Sequence, residues 1–459
     1  MGIKIATRIS DFASRRAWIP LVLLGTVCLA SVGARSAAIG LPCRGSCRTP
    51  AEHLLIFDER YYVNAARVIA GVRPPAIPGT AYHHAPLGSD PNAEHPQLAK
   101  LIMAGSIELF GNGPWAWRLG SIVFGTLAIL GMFALTCWGG GSRWLALGAA
   151  TLMASDNLMV VEGRIGTLEI YAVAAMVWSV ALYLRGRPLA AGLVAGIGAC
   201  MKLFALDVVP VLLIYELLRW RTPSVKARVR SLTGALTALG GSFLGLLAVL
   251  DQIAHPYDNS AGRFVTANPF SHLSHMISYA STQTGLAAGN GIASYPWQWL
   301  VDYKPISFLA ADSGPGVHPS VHFTGLISPP ILLAGLLGTG AAIWRSALRP
   351  AIARWRRWAG QGLNAAPAAD DGGTAESNQP RLVCLSAAWF LGTFGPFLVA
   401  SLAFNRTTYL YYMSIVMPGL YLAAAWLAAR LWRHRWLIGI WMACVAAAAV
   451  VFYPFTPSL

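Results

Sequence analysis

Residues 122–135 read IVFGTLAILGMFAL, a run with no charged side chain, inside a longer apolar stretch over 116–138. A helix needs about 20 mostly apolar residues to cross the hydrocarbon core of a bilayer, and 116–138 meets that length. Shorter runs of the same kind stand at 21–30 (LVLLGTVCLA) and 243–250 (FLGLLAVL). The whole chain agrees: 56% of its 459 residues are hydrophobic, 12% are charged, and the mean hydropathy is +0.54. A soluble chain carries about 25% charged residues, so this one has too few polar side chains to coat a water-facing surface. Its length would otherwise suggest about three soluble domains of roughly 150 residues each. A soluble enzyme, a disordered tail and a disulfide-stapled mini-domain are excluded. The chain reads as an all-α polytopic membrane protein forming one transmembrane domain over 1–459.

The same ruler gives eleven spans, at 17–34, 116–138, 144–162, 165–184, 188–204, 206–219, 231–250, 323–344, 382–402, 408–429 and 436–453. The pieces at 188–204 and 206–219 are short and nearly continuous. Residues 98–110 are apolar but carry Lys100 and Glu108, and read as an interfacial helix. Basic residues gather in connections on one side: Lys4 to Arg16, Arg143, Arg185 and Arg187, the Arg219–Arg230 group, Arg345 to Arg357 with Arg381, and Arg430 to Arg435. Most acidic residues fall on the other. By the positive-inside rule the N-terminus is cytoplasmic and, after eleven crossings, the C-terminus is external. The first apolar run shows no convincing cleavage site and reads as a retained span. Three segments lie outside the lipid: a first external loop at 35–115, a second at 251–322, and a flexible cytoplasmic linker at 360–380. The net charge of +15 and pI near 9.8 belong to the cytoplasmic loops. No basic stripe with interleaved aromatics marks a nucleic-acid surface.

Charges in or beside membrane helices cost about 2.5–3.5 kcal/mol at mid-helix, so each is a candidate for function. Here they share the outer side: Asp58 and Glu59, Arg118, Glu162, Arg164, Glu169, Lys202, Asp207 and Arg406. Residues 51–71, AEHLLIFDERYYVNAARVIAG, read as an amphipathic outer helix with Phe57, Tyr61, Ala65 and Val68 on one face. Asp58 and Tyr62 share a neighbouring stripe. Glu59 is turned about 100° from Asp58, so one acid can face a cavity while the other pairs with a cation. Of the cysteines, Cys28, Cys137, Cys200, Cys384 and Cys444 read as small apolar residues. Cys43 and Cys47 share the first external loop, as a disulfide or as two thiols. The glycines of GLVAGIG and GALTALGGSFLG read as sites of close helix approach.

FDERYYVNAARVIAG (57–71), DPNAEHPQLAKLIMAGSIELFGNGPWAWRLGSIVFGTLAI (90–129) and RIGTLE (164–169) together resemble the protein O-mannosyltransferase family, whose bacterial members are C-type glycosyltransferases using polyprenyl-phosphate sugars. Asp58-Glu59 matches the family's acidic pair. His95-Pro96-Gln97-Leu98-Ala99-Lys100 matches its HPPLxK-like element, and Arg118 and Arg164 match its two arginines. SYPWQWL, with Trp297 and Trp299, resembles the aromatic motif of the second loop. Arg406 followed by TTYLYYMSIVMPGLY resembles the late span that helps hold the lipid phosphate. Gln97 replaces a proline, Glu169 stands where Asp is usual, and Tyr412 stands where eukaryotic relatives often have His. With a loop of only about 70 residues at 251–322, no β-trefoil is inserted, as in a bacterial member.

The resemblance implies a C-type glycosyltransferase fold and inverting transfer of mannose or a similar hexose from a polyprenyl phosphate to an external hydroxyl. Asp58 is the expected general base and Glu59 its companion in the catalytic pair, orienting the site through Arg118 or Arg164. His95, Arg118, Arg164, Glu169, Lys202, Arg406 and Trp297 are the expected substrate-binding residues, with Lys202 and Arg406 on the phosphate. Trp297 and Trp299 also read as interfacial anchors, and Lys202 also reads as a lysine reaching the interface. Expected partners are the donor lipid as co-substrate, membrane lipid, and Ser/Thr of a secreted protein or, in the alternative, a lipid or cell-wall glycan. The expected location is a bacterial inner membrane with the site facing outward. His83, His84, Asp90, Glu94 and His95 match no fixed zinc spacing, so no metal and no cofactor is expected. A transporter or flippase is the reading from another class, but its charges would sit near the midplane between repeated halves, which this sequence lacks.

Overall fold

The computed structural model describes residues 18–44, 47–49, 52–76, 80–219, 224–285, 291–310, 317–318, 322–358 and 380–454. Residues 1–17 and 359–379 lie outside these, so the N-terminus, expected to be cytoplasmic, and nearly all of the expected linker at 360–380 fall outside the described residues. The protein is mostly helical. Among the described residues seven helices are long and apolar enough to cross a membrane: Ile19–Ser36, Pro114–Trp138, Val225–Ile253, Pro329–Ala353, Arg381–Phe404, Leu410–Arg430 and Trp432–Val451. It is a multi-pass membrane protein. The expected eleven spans are not established as a count. The other four segments fold as the shorter helices Arg143–Ser155, Glu169–Leu184, Pro188–Ala199 and Val208–Leu218.

Those segments are short because polar residues interrupt them. The expected span at 144–162 breaks at Asp156, which is extended (ψ 126°) and caps the next helix, Asn157–Glu162, through an Oδ1 contact from the Leu158 N–H at 3.1 Å. Its carboxylate also accepts from the Ser328 N–H at 3.3 Å and the Tyr421 hydroxyl at 2.7 Å, so three elements meet on one acid. The expected span at 165–184 begins as a helix only at Glu169. After Ala199 the chain opens at Lys202 and continues as the 3-10 turn Leu203–Asp207. Non-helical backbone at membrane depth is tolerated where protein covers it, and these breaks are buried. The expected span at 323–344 starts later, at Pro329. His322–Gly325 instead pairs antiparallel with Ile306–Ala310, with a bulge between Ser307 and Leu309.

Glu169–Leu184 and Met413–Arg430 form the centre, buried along almost their whole length. A helix apolar on every side belongs inside a bundle. Pro114–Trp138 packs on the first of these and Pro329–Ile343 on the second. Pro188–Ala199 lies against Val225–Ile253, and glycine permits the approach. A Cβ on Gly196 would stand 1.9 Å from Ser242 Oγ, and one on Gly192 2.1 Å from the Ala235 carbonyl oxygen. The glycines across this contact differ from expectation: Gly240, Gly241 and Gly245 have nothing within 4 Å and Gly234 meets only Leu189 at 3.6 Å, so the close approach depends on the glycines of GLVAGIG and not on those of GALTALGGSFLG.

The first loop folds around Lys100. Its ammonium, fully buried on the Leu98–Phe110 helix, donates to Asp90 Oδ2 at 2.5 Å and to the carbonyls of Asn92 at 2.6 Å and His95 at 2.9 Å. A buried charge persists when it is paired and hydrogen-bonded, and here it pins 90–97 over the helix start. Gln97, standing where the resemblance leads one to expect a proline, donates to Asp251 Oδ1 at 2.7 Å, and His272 bridges Asp251 (2.7 Å) and the Ala93 carbonyl (3.0 Å). Cys43 and Cys47 are disulfide-bonded. The helix expected over 51–71 is confined to Glu59–Ile69, because Phe57 takes a positive φ of 53° that no helix continues.

The glycine contacts separate two substitutions. Gly196→Leu is expected to destabilise the bundle by about 1–3 kcal/mol or more, read as a lower melting temperature in detergent. Gly240→Ala is expected to leave melting unchanged or slightly raised; equal melting of the two variants would contradict this packing.

Candidate active site

The positive φ at Phe57 turns the chain sharply, so Asp58 becomes the N-cap of the Glu59–Ile69 helix. Asp58 makes no side-chain capping bond. Glu59, one residue on, points the other way into protein and is fully buried. Its carboxylate accepts two bonds from the Arg118 guanidinium, Nε to Oε1 at 2.8 Å and Nη2 to Oε2 at 2.7 Å. It also accepts the backbone N–H groups of Gly166 at 2.7 Å and Ile56 at 2.8 Å. Arg118 spends its remaining donors on the carbonyls of Ile39, Leu41 and Leu54. The pairing expected for Glu59 is present with Arg118. Arg164 instead donates to the carbonyls of Ala34, Arg35 and Ala38.

Asp58 lines a cavity of about 1410 Å³ that also takes in His95, Lys202 and Arg406. Glu59, Arg118, Arg164 and Glu169 do not line it. Glu59 and the two arginines therefore hold the wall from behind, and Asp58 is the member of the acidic pair that reaches the interior. Trp297 is not brought to the cavity either: it is 42% exposed and stacks on Tyr295 at 4.4 Å. Trp299 is buried, donating to Ser294 Oγ at 2.9 Å and packing on Phe397 and Tyr412.

Lys202 and Glu169 form a buried ion pair beside Asp58. Three rings surround the Lys202 ammonium, Phe204 at 5.0 Å, Tyr411 at 5.7 Å and Tyr62 at 6.0 Å. Aromatic faces of this kind attract a cation when water is scarce. Arg406 donates to the Ala280 carbonyl, which fixes its guanidinium beside the Pro269–Thr282 helix. Burial, with Glu169 adding to it, lifts the Asp58 carboxyl to about 7, against the opposing pull of Lys202 and Arg60. The His95 imidazole is pushed well below 6.5 by burial and by Lys202, Lys100 and Arg406, which keeps it neutral at neutral pH. Its ring lies edge-on to Tyr62 at 5.7 Å.

The sequence reading passed over several lining residues. Tyr62 follows Asp58 by four positions on the shared stripe and joins it in the cavity, a signal the helical spacing did carry. Tyr411, Tyr412, Phe57 and Phe308 arrive from three separate segments, and Phe57 packs on Phe308 at 4.7 Å and Tyr411 at 5.5 Å. In one dimension nothing joins them. Of the metal candidates, Asp90 is taken by Lys100, and His83 Nδ1 lies 2.9 Å from the Pro74 carbonyl. Among the described residues no three His, Cys, Asp or Glu side chains are grouped as metal ligands.

Residues 94–242 match the family model described as dolichyl-phosphate-mannose-protein mannosyltransferase. A polyprenol-phosphate-mannose--protein mannosyltransferase of Corynebacterium glutamicum is 32% identical over 120 residues, 26% of this chain and 22% of that protein's length. In three dimensions the chain is similar to one in the S. cerevisiae protein O-mannosyltransferase Pmt1-Pmt2 complex bound to the sugar donor. That likeness has a TM-score of 0.64 and 12% identity, and covers 95% of this chain and 89% of that one. It is also similar to the Archaeoglobus fulgidus oligosaccharyltransferase AglB in complex with an inhibitory peptide and a dolichol-phosphate. There the TM-score is 0.52 at 12% identity, over 96% of this chain and 56% of that one. These findings bear out the resemblance read from the sequence, and the fold is the C-type glycosyltransferase fold.

The site divides into a buried scaffold and a carboxylate open to the cavity. Arg118→Ala or Glu59→Gln is expected to cost about 3–5 kcal/mol, as removal of one partner from a buried pair does, seen as loss of folded protein in detergent. Asp58→Asn, which breaks no hydrogen bond to that side chain among the described residues, is expected to melt at the wild-type temperature.

Proposed function

We propose that the chain is an inverting glycosyltransferase that moves mannose, or a similar hexose, from a polyprenyl phosphate to an acceptor hydroxyl. One observation carries the reading: a carboxylate held near neutrality, Asp58, shares a single cavity with Lys202 and Arg406. A general base works best when its pKa lies near the working pH, and a departing phosphate needs fixed cations where its charge develops. The mannosyltransferase relatives and the fold support the same chemistry.

In this reading the acceptor oxygen attacks the anomeric carbon from the face opposite the phosphate. Asp58 takes the hydroxyl proton as the new C–O bond forms. The bond from the anomeric carbon to the phosphate oxygen breaks, and its electron pair leaves with the polyprenyl phosphate. Lys202 receives that charge as a compact ammonium and Arg406 as a planar fork. Glu169 holds Lys202 in place, and neutral His95 lies on the same wall as a hydrogen-bonding group for the sugar. The donor already carries its leaving group, so no cofactor enters and no cation is needed to mask a diphosphate.

The acceptor proposed is a Ser or Thr of a secreted protein; the name of the C. glutamicum relative gives protein as its acceptor. The chain would lie in a bacterial inner membrane with the cavity facing outward. The arginines at the opposite helix ends support that orientation.

Three measurements on purified protein test this. With polyprenyl-phosphate-mannose and Ser/Thr peptides, Asp58→Asn is expected to lower turnover about 10²–10⁴-fold, and retained turnover would remove the base. The rate should fall about tenfold per pH unit below about 7, because protonation of Asp58 removes the active form. Arg406→Ala should raise the donor KM with a smaller effect on peptide saturation; unaltered donor saturation would count against phosphate contact.

A further inference from the structure

Part of the cavity wall is polar and is not used by the transfer step. Glu94 and Asn92 line it from the loop before the Leu98–Phe110 helix, and Tyr82 reaches it from the segment after residue 80. Tyr82 has φ +66°, a left-handed conformation uncommon for a residue with a side chain. Its neighbours hold it there: the Arg73 guanidinium donates to the carbonyls of His83 at 3.1 Å and Ala85 at 2.6 Å, and the Gly88 N–H donates to the Val68 carbonyl at 2.8 Å. An uncommon backbone state so fastened is a reason to look for a role.

Asn92 is fixed from behind. Its carbonyl accepts from the buried Lys100 ammonium at 2.6 Å, and its N–H donates to Asp90 Oδ1 at 3.1 Å. Its side-chain amide then donates one hydrogen to the Tyr82 hydroxyl and the other to Glu94 Oε2, both at 3.0 Å. One amide thereby sets a phenol and a carboxylate side by side. The phenol keeps its own proton to donate, and the carboxylate has further lone pairs to accept with. Burial raises the Glu94 carboxyl above its usual range, against the pull of Lys100, so a donating partner such as a hydroxyl would be welcome there. The Tyr61 ring lies 6.3 Å from that of Tyr82 and gives the wall an apolar face.

A donor and an acceptor at fixed spacing, beside an aromatic face, suit two adjacent hydroxyls on a pyranose and the C–H surface next to them. We propose that Glu94, Asn92 and Tyr82 form a hydroxyl-reading subsite that decides which hexose the cavity accepts. The proposal rests on the glycosyl-transfer reading above and deepens it. Two sugars have this chemistry, the hexose of the donor lipid and a saccharide acceptor.

The test compares Glu94→Gln and Tyr82→Phe with the wild-type full chain in lipid nanodiscs, using three probes: polyprenyl phosphate, polyprenyl-phosphate-mannose and methyl α-mannoside. Weakening of the mannosyl lipid by about tenfold or more, with polyprenyl phosphate unchanged, assigns the subsite to the donor hexose. Weakening confined to methyl α-mannoside, followed by saturation-transfer NMR, assigns it to an acceptor sugar. Unchanged affinity of both variants for all sugar-bearing probes overturns the proposal. Failure of the wild type to bind either lipid would instead sink the donor reading, and methyl α-mannoside binding that still depends on Glu94 would leave the subsite standing.

Discussion

The bidentate contact between Glu59 and Arg118 is the constraint on which the site depends. It joins the Glu59–Ile69 helix to the Pro114–Trp138 helix, and its spare donors and acceptors tie down Ile39, Leu41, Leu54, Ile56 and Gly166. Burying two ions is costly unless every lone pair and proton is used, and here Glu59 accepts four hydrogen bonds. Because neighbouring residues at a helix start are turned about 100° apart, anchoring Glu59 in protein directs Asp58 the other way. The direction in which one acid faces is fixed by the structural commitment of the next.

The bundle around this contact is made of interrupted helices. Uninterrupted apolar rods would leave no room for charge at the cavity. The breaks at Asp156, at 163–168 and at Cys200–Lys202 end helices early and place Glu169 and Lys202 at the ends of their elements. Each interruption frees backbone groups that must find partners. Gly166 gives its N–H to Glu59, and the Cys200 carbonyl accepts from the Leu98 N–H at 3.0 Å. The polar loop and the membrane helices are thus stitched together by hydrogen bonds that satisfy the breaks.

Within the cavity the charges are graded. Lys202 and Arg406 form a cationic region, with neutral His95 on the same wall. Asp58 sits beside the Lys202–Glu169 pair and is held near neutrality by burial and by Glu169. Glu94 lines the same cavity, joined to Tyr82 through the Asn92 amide. In the proposed reading, the anionic end of a sugar on a lipid phosphate meets Lys202 and Arg406, and its hydroxyl-bearing end meets Glu94, Asn92 and Tyr82.

Much of this was legible in the sequence, for stated physical reasons. Apolar length and charge scarcity determine a helical membrane protein, because lipid leaves the backbone no other partners. The adjacency of Asp58 and Glu59 determines that they diverge, since helix geometry is local. Motif resemblance brought Asp58, His95 and Arg406 forward, charge at a span end brought Lys202, and the cavity unites them. Tertiary structure decided the rest. Which acid faces inward followed from Arg118, 59 positions away in the chain. That Arg164 serves backbone carbonyls, that Trp297 stands outside, and that Tyr411 and Phe308 come in were settled by packing between distant segments, which periodicity does not encode. The helix break at Asp156 escaped the hydropathy ruler for the same reason: an average over about 20 residues does not register one polar residue whose partners come from elsewhere in the fold.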